Sequence, residues 1–166
     1  YCDPKESEKR KNCIIVLNII LDSLVRWFAP ILSFTTEEIY TLINKDKKSV
    51  HLEQFKEYPT SFQNEQLNEK WLELKKIRDI SNISIEAKRT KKEIGSSLEA
   101  NLAILVNEKL FKLVGDVDFS ELCITSAAKI KKSNNEDITV ETTKAEGIKC
   151  PICWKINKTQ CERHPI

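Results

Sequence analysis

Four side chains near the end of the chain have the types and spacing for metal chemistry: Cys150, Cys153, Cys161 and His164. Two cysteines separated by two residues can place both sulfurs about 2.3 Å from one tetrahedral ion, and a second pair must complete the site. Cys150-Pro151-Ile152-Cys153 is such a pair, and zinc is the metal its thiolates suit. Cys161 and His164 are candidates to close a C-x2-C-x7-C-x2-H arrangement, although seven intervening residues is short beside the usual spacing of about 12–20. The competing reading is a pair of buried or disulfide-forming thiols. Pro151 and the lysines on either side favour an exposed metal turn over it.

Trp154 follows the second cysteine directly and has little room to be buried in so small a module. It is either a lid on the metal turn or a platform on which an unpaired base stacks, beside Lys149, Lys155 and Lys158. Residues 149–166 carry a net charge of +3. A second basic group, Lys88, Arg89, Lys91 and Lys92, is a solvated helix face or a set of phosphate contacts. Catalytic chemistry is poorly served. His51 stands alone beside a polar loop, and neither a glycine-rich phosphate loop nor a G-x-S-x-G turn is present.

The elements that position these residues follow from periodicity. Ile14, Leu17, Leu21, Leu24 and Phe28 recur at helical spacing, so residues 5–28 form a helix with an apolar stripe, ending before Pro30. Thr35 and Thr36, followed by Glu37 and Glu38, signal a second helix to about residue 43, with a solvated loop over 44–49. An irregular stretch over 50–63 is pinned by Phe55, Tyr58 and Phe62. A third helix spans about 64–92 and buries Leu67, Trp71, Leu74, Ile77, Ile80 and Ala87.

Beyond Gly95 the period changes to alternation. Leu98, Ala100, Leu102, Ile104 and Val106 share one face of a strand. A short helix over 108–114 follows, then strands at 121–125 and 138–142, with a polar loop over 131–137. The expected fold is mainly α: a helical bundle (1–94), a small α+β module (95–145) and a C-terminal zinc knuckle (146–166).

Composition sets outer limits. The 166 residues are 40% hydrophobic and 31% charged, as in a globular protein, and the longest apolar run, residues 13–21, is too short to span a bilayer. The net charge of +2 says nothing about nucleic acid on its own. Cysteines at 2, 13, 123, 150, 153 and 161 form no disulfide framework, and the chain opens without a secretory signal, so a reduced cytoplasmic setting is expected. A start at Tyr1 and the lack of any methionine suggest a piece of a longer polypeptide.

Three ordered motifs carry a family resemblance. The run from Arg26-Trp27-Phe28-Ala29-Pro30 to Thr35-Thr36-Glu37-Glu38-Ile39-Tyr40 resembles the anticodon-binding helical domain of class I aminoacyl-tRNA synthetases. Lys92-Glu93-Ile94-Gly95-Ser96-Ser97-Leu98 narrows the likeness to isoleucyl-tRNA synthetase, and Glu146-Gly147-Ile148-Lys149-Cys150-Pro151-Ile152-Cys153-Trp154 is similar to the bacterial type with its terminal zinc module. The likeness implies a tRNA-Ile-binding part of a monomeric enzyme that joins isoleucine to tRNA with ATP, the catalytic and editing domains lying upstream. The helical domain would then lie along the anticodon stem, with the zinc module at the anticodon loop.

Two departures stand out. The family tail continues from His-Pro to a second cysteine pair, whereas this chain ends at His164-Pro165-Ile166, which makes Cys161 and His164 provisional ligands and the knuckle a truncated one. Ile152 occupies a place that is usually basic in the family. The alternative is a stand-alone zinc-dependent nucleic-acid-binding module.

Overall fold

The structure, a computed structural model, describes residues 3–45 and 49–164. They fall into two compact units, Tyr1–Gln63 and Asn64–Ile166.

In the first unit, helix α1 spans Glu8–Phe28 and α2 spans Ser33–Ile43. Ser7 caps α1, its hydroxyl accepting from the Arg10 amide. The second helix begins at Ser33, within the run that signals it, but without a side-chain cap: Thr36 returns its hydroxyl to the Leu32 carbonyl. Its core is small: Val25, Ala29, Tyr40 and Val50. The predicted stripe of α1 is a real helical face, yet Ile14, Leu17, Leu21, Leu24 and Phe28 all remain exposed. Within this unit the helix packs against α2 and the Val50–Leu52 turn, and among the described residues its buried face is confined to Ser23, Val25 and Arg26 near its C-terminal end.

That face carries a buried cation. Arg26 is 6% exposed; its Nη1 donates to Glu53 Oε2 at 2.7 Å and to the Gln54 carbonyl at 2.9 Å. Tyr40 donates to Glu53 at 2.6 Å, and Asp22 bridges Arg26 and Lys56. Ser23 and Tyr58 are hydrogen-bonded to each other. This network ties the irregular 53–58 stretch to α1. Most of the expected 44–49 loop, residues 46–48, lies outside the described residues. His51 is exposed in a single 3-10 turn, Val50–Leu52.

The second unit is built on α3 (Glu65–Thr90), capped by Asn64, whose side chain accepts from the Leu67 amide. Strand β1 (Ala100–Val106) alternates buried and half-buried residues, as its sequence predicts. Then come α4 (Glu108–Val114), α5 (Phe119–Leu122), β2 (Ala127–Lys132) and β3 (Thr139–Lys144). The sheet order is β2-β1-β3, with β1 parallel to β2 and antiparallel to β3.

Leu74, Ile77 and Ile85 of α3 pack in one cluster with Ala100, Leu102, Ile104 and Val106 of β1, closed by Val114 and Phe119. Full burial of each such side chain is worth about 1.5–3 kcal/mol. The buried face of α3 is rotated from the expected one, with Leu67 and Trp71 exposed and Ser81 fully buried. Ser81 returns its hydroxyl to the Ile77 carbonyl at 2.8 Å, which makes it compatible with the core. By packing, α3 belongs to the second unit, whereas the sequence-based division groups it with residues 1–94.

Two expectations in this unit are corrected. Residues 121–125 do not form a strand: Asp118 caps the short α5, and Ile124 adopts φ 54°, which no extended strand allows. The strand instead comes later, as β2, where Lys131 and Lys132 lie within the expected polar loop.

Candidate metal centre

The knuckle is a hairpin of two short strands, β4 (Ile148–Lys149) and β5 (Ile156–Asn157), paired antiparallel. Gly147 makes its entry possible. The backbone there has φ +135°, and a Cβ would fall 2.1 Å from the Asn157 carbonyl oxygen. The hairpin closes the metal turn: the Cys150 amide donates to the Lys155 carbonyl at 2.9 Å, and the Trp154 amide to the Cys150 carbonyl at 3.0 Å. A further turn, with the His164 amide donating to the Cys161 carbonyl at 3.1 Å, presents the last two candidates.

All four ligand atoms of Cys150, Cys153, Cys161 and His164 lie within 4.8 Å of one another. A tetrahedron with bonds of about 2.3 Å to sulfur and 2.0–2.1 Å to nitrogen requires edges of about 3.8 Å between sulfurs and about 3.6 Å from sulfur to nitrogen. The observed separations are 3.8 Å for Cys153 Sγ to Cys161 Sγ, 3.6 Å for Cys150 Sγ to His164 Nδ1, and 3.7 Å for Cys161 Sγ to His164 Nδ1. The donor set therefore fits a tetrahedral metal ion, with histidine offering Nδ1. The seven-residue spacer suffices because β5, which lies within it, pairs with β4 and so returns the chain beside the first cysteine pair.

The thiols are tuned unequally. The Cys153 amide, directed at the Cys150 sulfur, holds that thiol at about 6 against the opposing effect of burial. Burial pushes the Cys153 thiol up. At Cys161 burial also acts upward, but His164 and nearby amides outweigh it and the thiol is lowered. In the core of the α/β body, burial raises the thiol of Cys123.

Trp154 is 59% exposed, with φ 63°. A left-handed backbone costs a residue other than glycine about 1–2 kcal/mol, so the tight turn holds this indole outward at an energetic cost. Lys149 Nζ lies 5.7 Å from the ring centroid, over its face. Lys158 is exposed and has no partner among the described residues. Lys155 differs: its ammonium donates to Glu121 at 2.6 Å and to Ser120 at 3.0 Å, with only 16% of the side chain exposed.

The basic group at the end of α3 is likewise divided. Lys88 pairs with Glu93 and Arg89 with Glu86, while Lys91 and Lys92 are exposed without an ion pair among the described residues. Sequence reasoning missed Glu121 and Ser126 as partners of the knuckle, because no local pattern links them to it. Gly147, part of the motif that precedes the metal turn, did carry a local signal.

The residue pattern matches known proteins. A family model described as the anticodon-binding domain of tRNA ligase matches residues 1–104. The chain is similar to the isoleucine–tRNA ligase of Pelagibacter ubique, 68% identical over 164 residues that cover 99% of this chain and 18% of that relative. The isoleucine–tRNA ligases of Agrobacterium fabrum and Bartonella henselae are 37% and 38% identical, over 94% and 93% of this chain and 17% of each relative. The chain thus spans less than a fifth of the length of these relatives. The helical architecture and the match over residues 1–104 agree: this chain belongs to the family of tRNA-ligase anticodon-binding domains.

Proposed function

We propose that this chain is the tRNA-reading part of an isoleucine–tRNA ligase, a cytoplasmic, monomeric enzyme that attaches isoleucine to tRNA-Ile with ATP at upstream domains outside these residues. The knuckle holds zinc through Cys150, Cys153, Cys161 and His164, and the ion's role there is structural: it closes the turn that carries Trp154. Trp154 stacks on an unpaired anticodon-loop base, and Lys149 and Lys158 meet neighbouring phosphates. Lys91 and Lys92 add sequence-independent contacts at the end of α3. Lys88, Arg89 and Lys155 reach RNA only by exchanging their present carboxylate partners for phosphate.

The observation that carries this reading is the convergence of three cysteines and a histidine within 4.8 Å of one another, with an exposed indole and a lysine directly on the turn. The test is binding of tRNA-Ile against an unrelated tRNA at moderate salt. Preference for tRNA-Ile, with affinity falling as salt rises, is the expected result. Equal affinity for both tRNAs rejects the recognition role.

A further inference from the structure

The knuckle has almost no apolar attachment to the rest of its unit. Among the described residues after Ala145, Cys150 is the one buried hydrophobic residue, while Ile148, Ile152 and Trp154 are exposed. What joins it to the α/β body is polar. Glu121 Oε1, on α5, accepts from Lys155 Nζ at 2.6 Å and from Arg163 Nη2 at 2.9 Å. Both cations sit beside candidate ligands in the sequence: Lys155 lies two residues after Cys153, and Arg163 directly precedes His164. A second point lies alongside. The Ile156 amide donates to Ser126 Oγ at 2.6 Å, and that hydroxyl donates onward to the Leu98 carbonyl.

We propose that Glu121 is a positioning residue: by gripping Lys155 and Arg163 together it fixes the metal knuckle to the α/β body and sets the direction in which Trp154 is presented. One carboxylate taking both cations gives a charge-assisted, two-armed joint, stronger and more directional than neutral hydrogen bonds. The side chains are only 16–31% exposed, so solvent screens them less than it screens surface pairs. The joint also consumes two of the knuckle's positive charges, leaving Lys149 and Lys158 for a ligand. The consequence for RNA rests on the tRNA-reading role proposed above; the joint itself does not.

The test is Glu121→Gln in the full-length, zinc-loaded protein, with Arg163→Gln as a second variant that removes one arm should the first fail to fold. The expected result has three parts. Cobalt substituted for zinc gives unaltered thiolate and d–d bands, because the ligand set is untouched. Hydrogen exchange at the Cys150 and Ile156 amides becomes about tenfold faster. Affinity for tRNA-Ile falls by about fivefold, less than in Trp154→Ala, since the stacking surface remains but is no longer held in place.

Unchanged amide exchange overturns the joint. Loss of the cobalt bands also overturns it, because Glu121 would then support the metal site and not its orientation. Faster exchange with unaltered tRNA affinity, where Trp154→Ala does weaken binding, overturns the orienting role. If Trp154→Ala is silent, the proposed function fails, while the exchange measurement still decides the joint.

Discussion

The α/β body and the knuckle of the second unit are stabilised in opposite ways. Around Ile77, Ile104, Val106 and Val114, all essentially inaccessible to solvent, the body is held by apolar burial between the sheet and the helices packed on it. The knuckle leaves Ile148, Ile152 and Trp154 in water and has in place of such a core a cluster of three cysteines and a histidine that could hold a metal, two short strands and a shared carboxylate. A module this small cannot bury enough apolar area to fold by itself, which is where a structural metal substitutes for a core. The difference teaches a division of labour. The body is stable because its apolar groups are hidden, and the knuckle can offer an exposed indole because its stability does not depend on hiding it. The first unit combines both means of stabilisation, a small apolar core and a buried arginine network.

Removing the metal should separate the two regions most sharply. Structural zinc contributes on the order of 10 kcal/mol to small modules at neutral pH. Chelation, or Cys153→Ser, is therefore expected to abolish the metal stoichiometry of about one per chain and open residues 146–164 to proteolysis, while hydrogen exchange in β1 stays slow. Exchange that speeds up equally in both regions would break the comparison.

The converse change is Ile104→Ala, which leaves a cavity between β1 and α3 and should cost about 2–5 kcal/mol in denaturant unfolding. The cobalt spectrum should be unaffected under native conditions. Gly147→Ala comes next. The strained backbone and the approach of its Cβ to Asn157 should destabilise the knuckle by about 1–3 kcal/mol without moving the body's transition.

The smallest effect concerns the first unit and pH. Burial pushes the Asp22 carboxyl up, but Lys56 and Arg26 together hold it below the ordinary carboxylate range. A depressed folded-state value means that the stabilisation is fully present above the unfolded value of about 3.9 and is lost as pH falls through the lower folded value. Asp22→Asn should therefore flatten the stability of this unit between about pH 5 and pH 2, read by circular dichroism. Partial exposure keeps the effect small.

Much of this organisation was legible in the sequence. The helices containing Leu17 and Leu74 and the alternation from Ala100 to Val106 are periodic signals strong enough to survive tertiary packing. Residues 121–125 misled because the β-branched Ile124 and Thr125 favour strands, whereas Asp118 capping and the left-handed Ile124 decide the local structure. Strand β2 was hidden by Lys129, Lys131 and Lys132, a composition typical of an edge strand and easily read as loop.

The site shows the same split between local and distant signals. Cys150 and Cys153 announce themselves by spacing. Whether Cys161 and His164 join them depends on a hairpin that spacing alone does not specify. The grip of Glu121 on Lys155 and Arg163 spans 34 and 42 residues, and no local pattern encodes it.

The most direct measurement is the affinity of full-length, zinc-loaded Trp154→Ala for tRNA-Ile. Base stacking on an aromatic side chain is worth about 1–3 kcal/mol, so a loss of roughly 5- to 150-fold with intact metal content and fold is the result predicted. Unchanged affinity under the same conditions would contradict the account, leaving the knuckle as a structural appendage whose exposed tryptophan reads nothing.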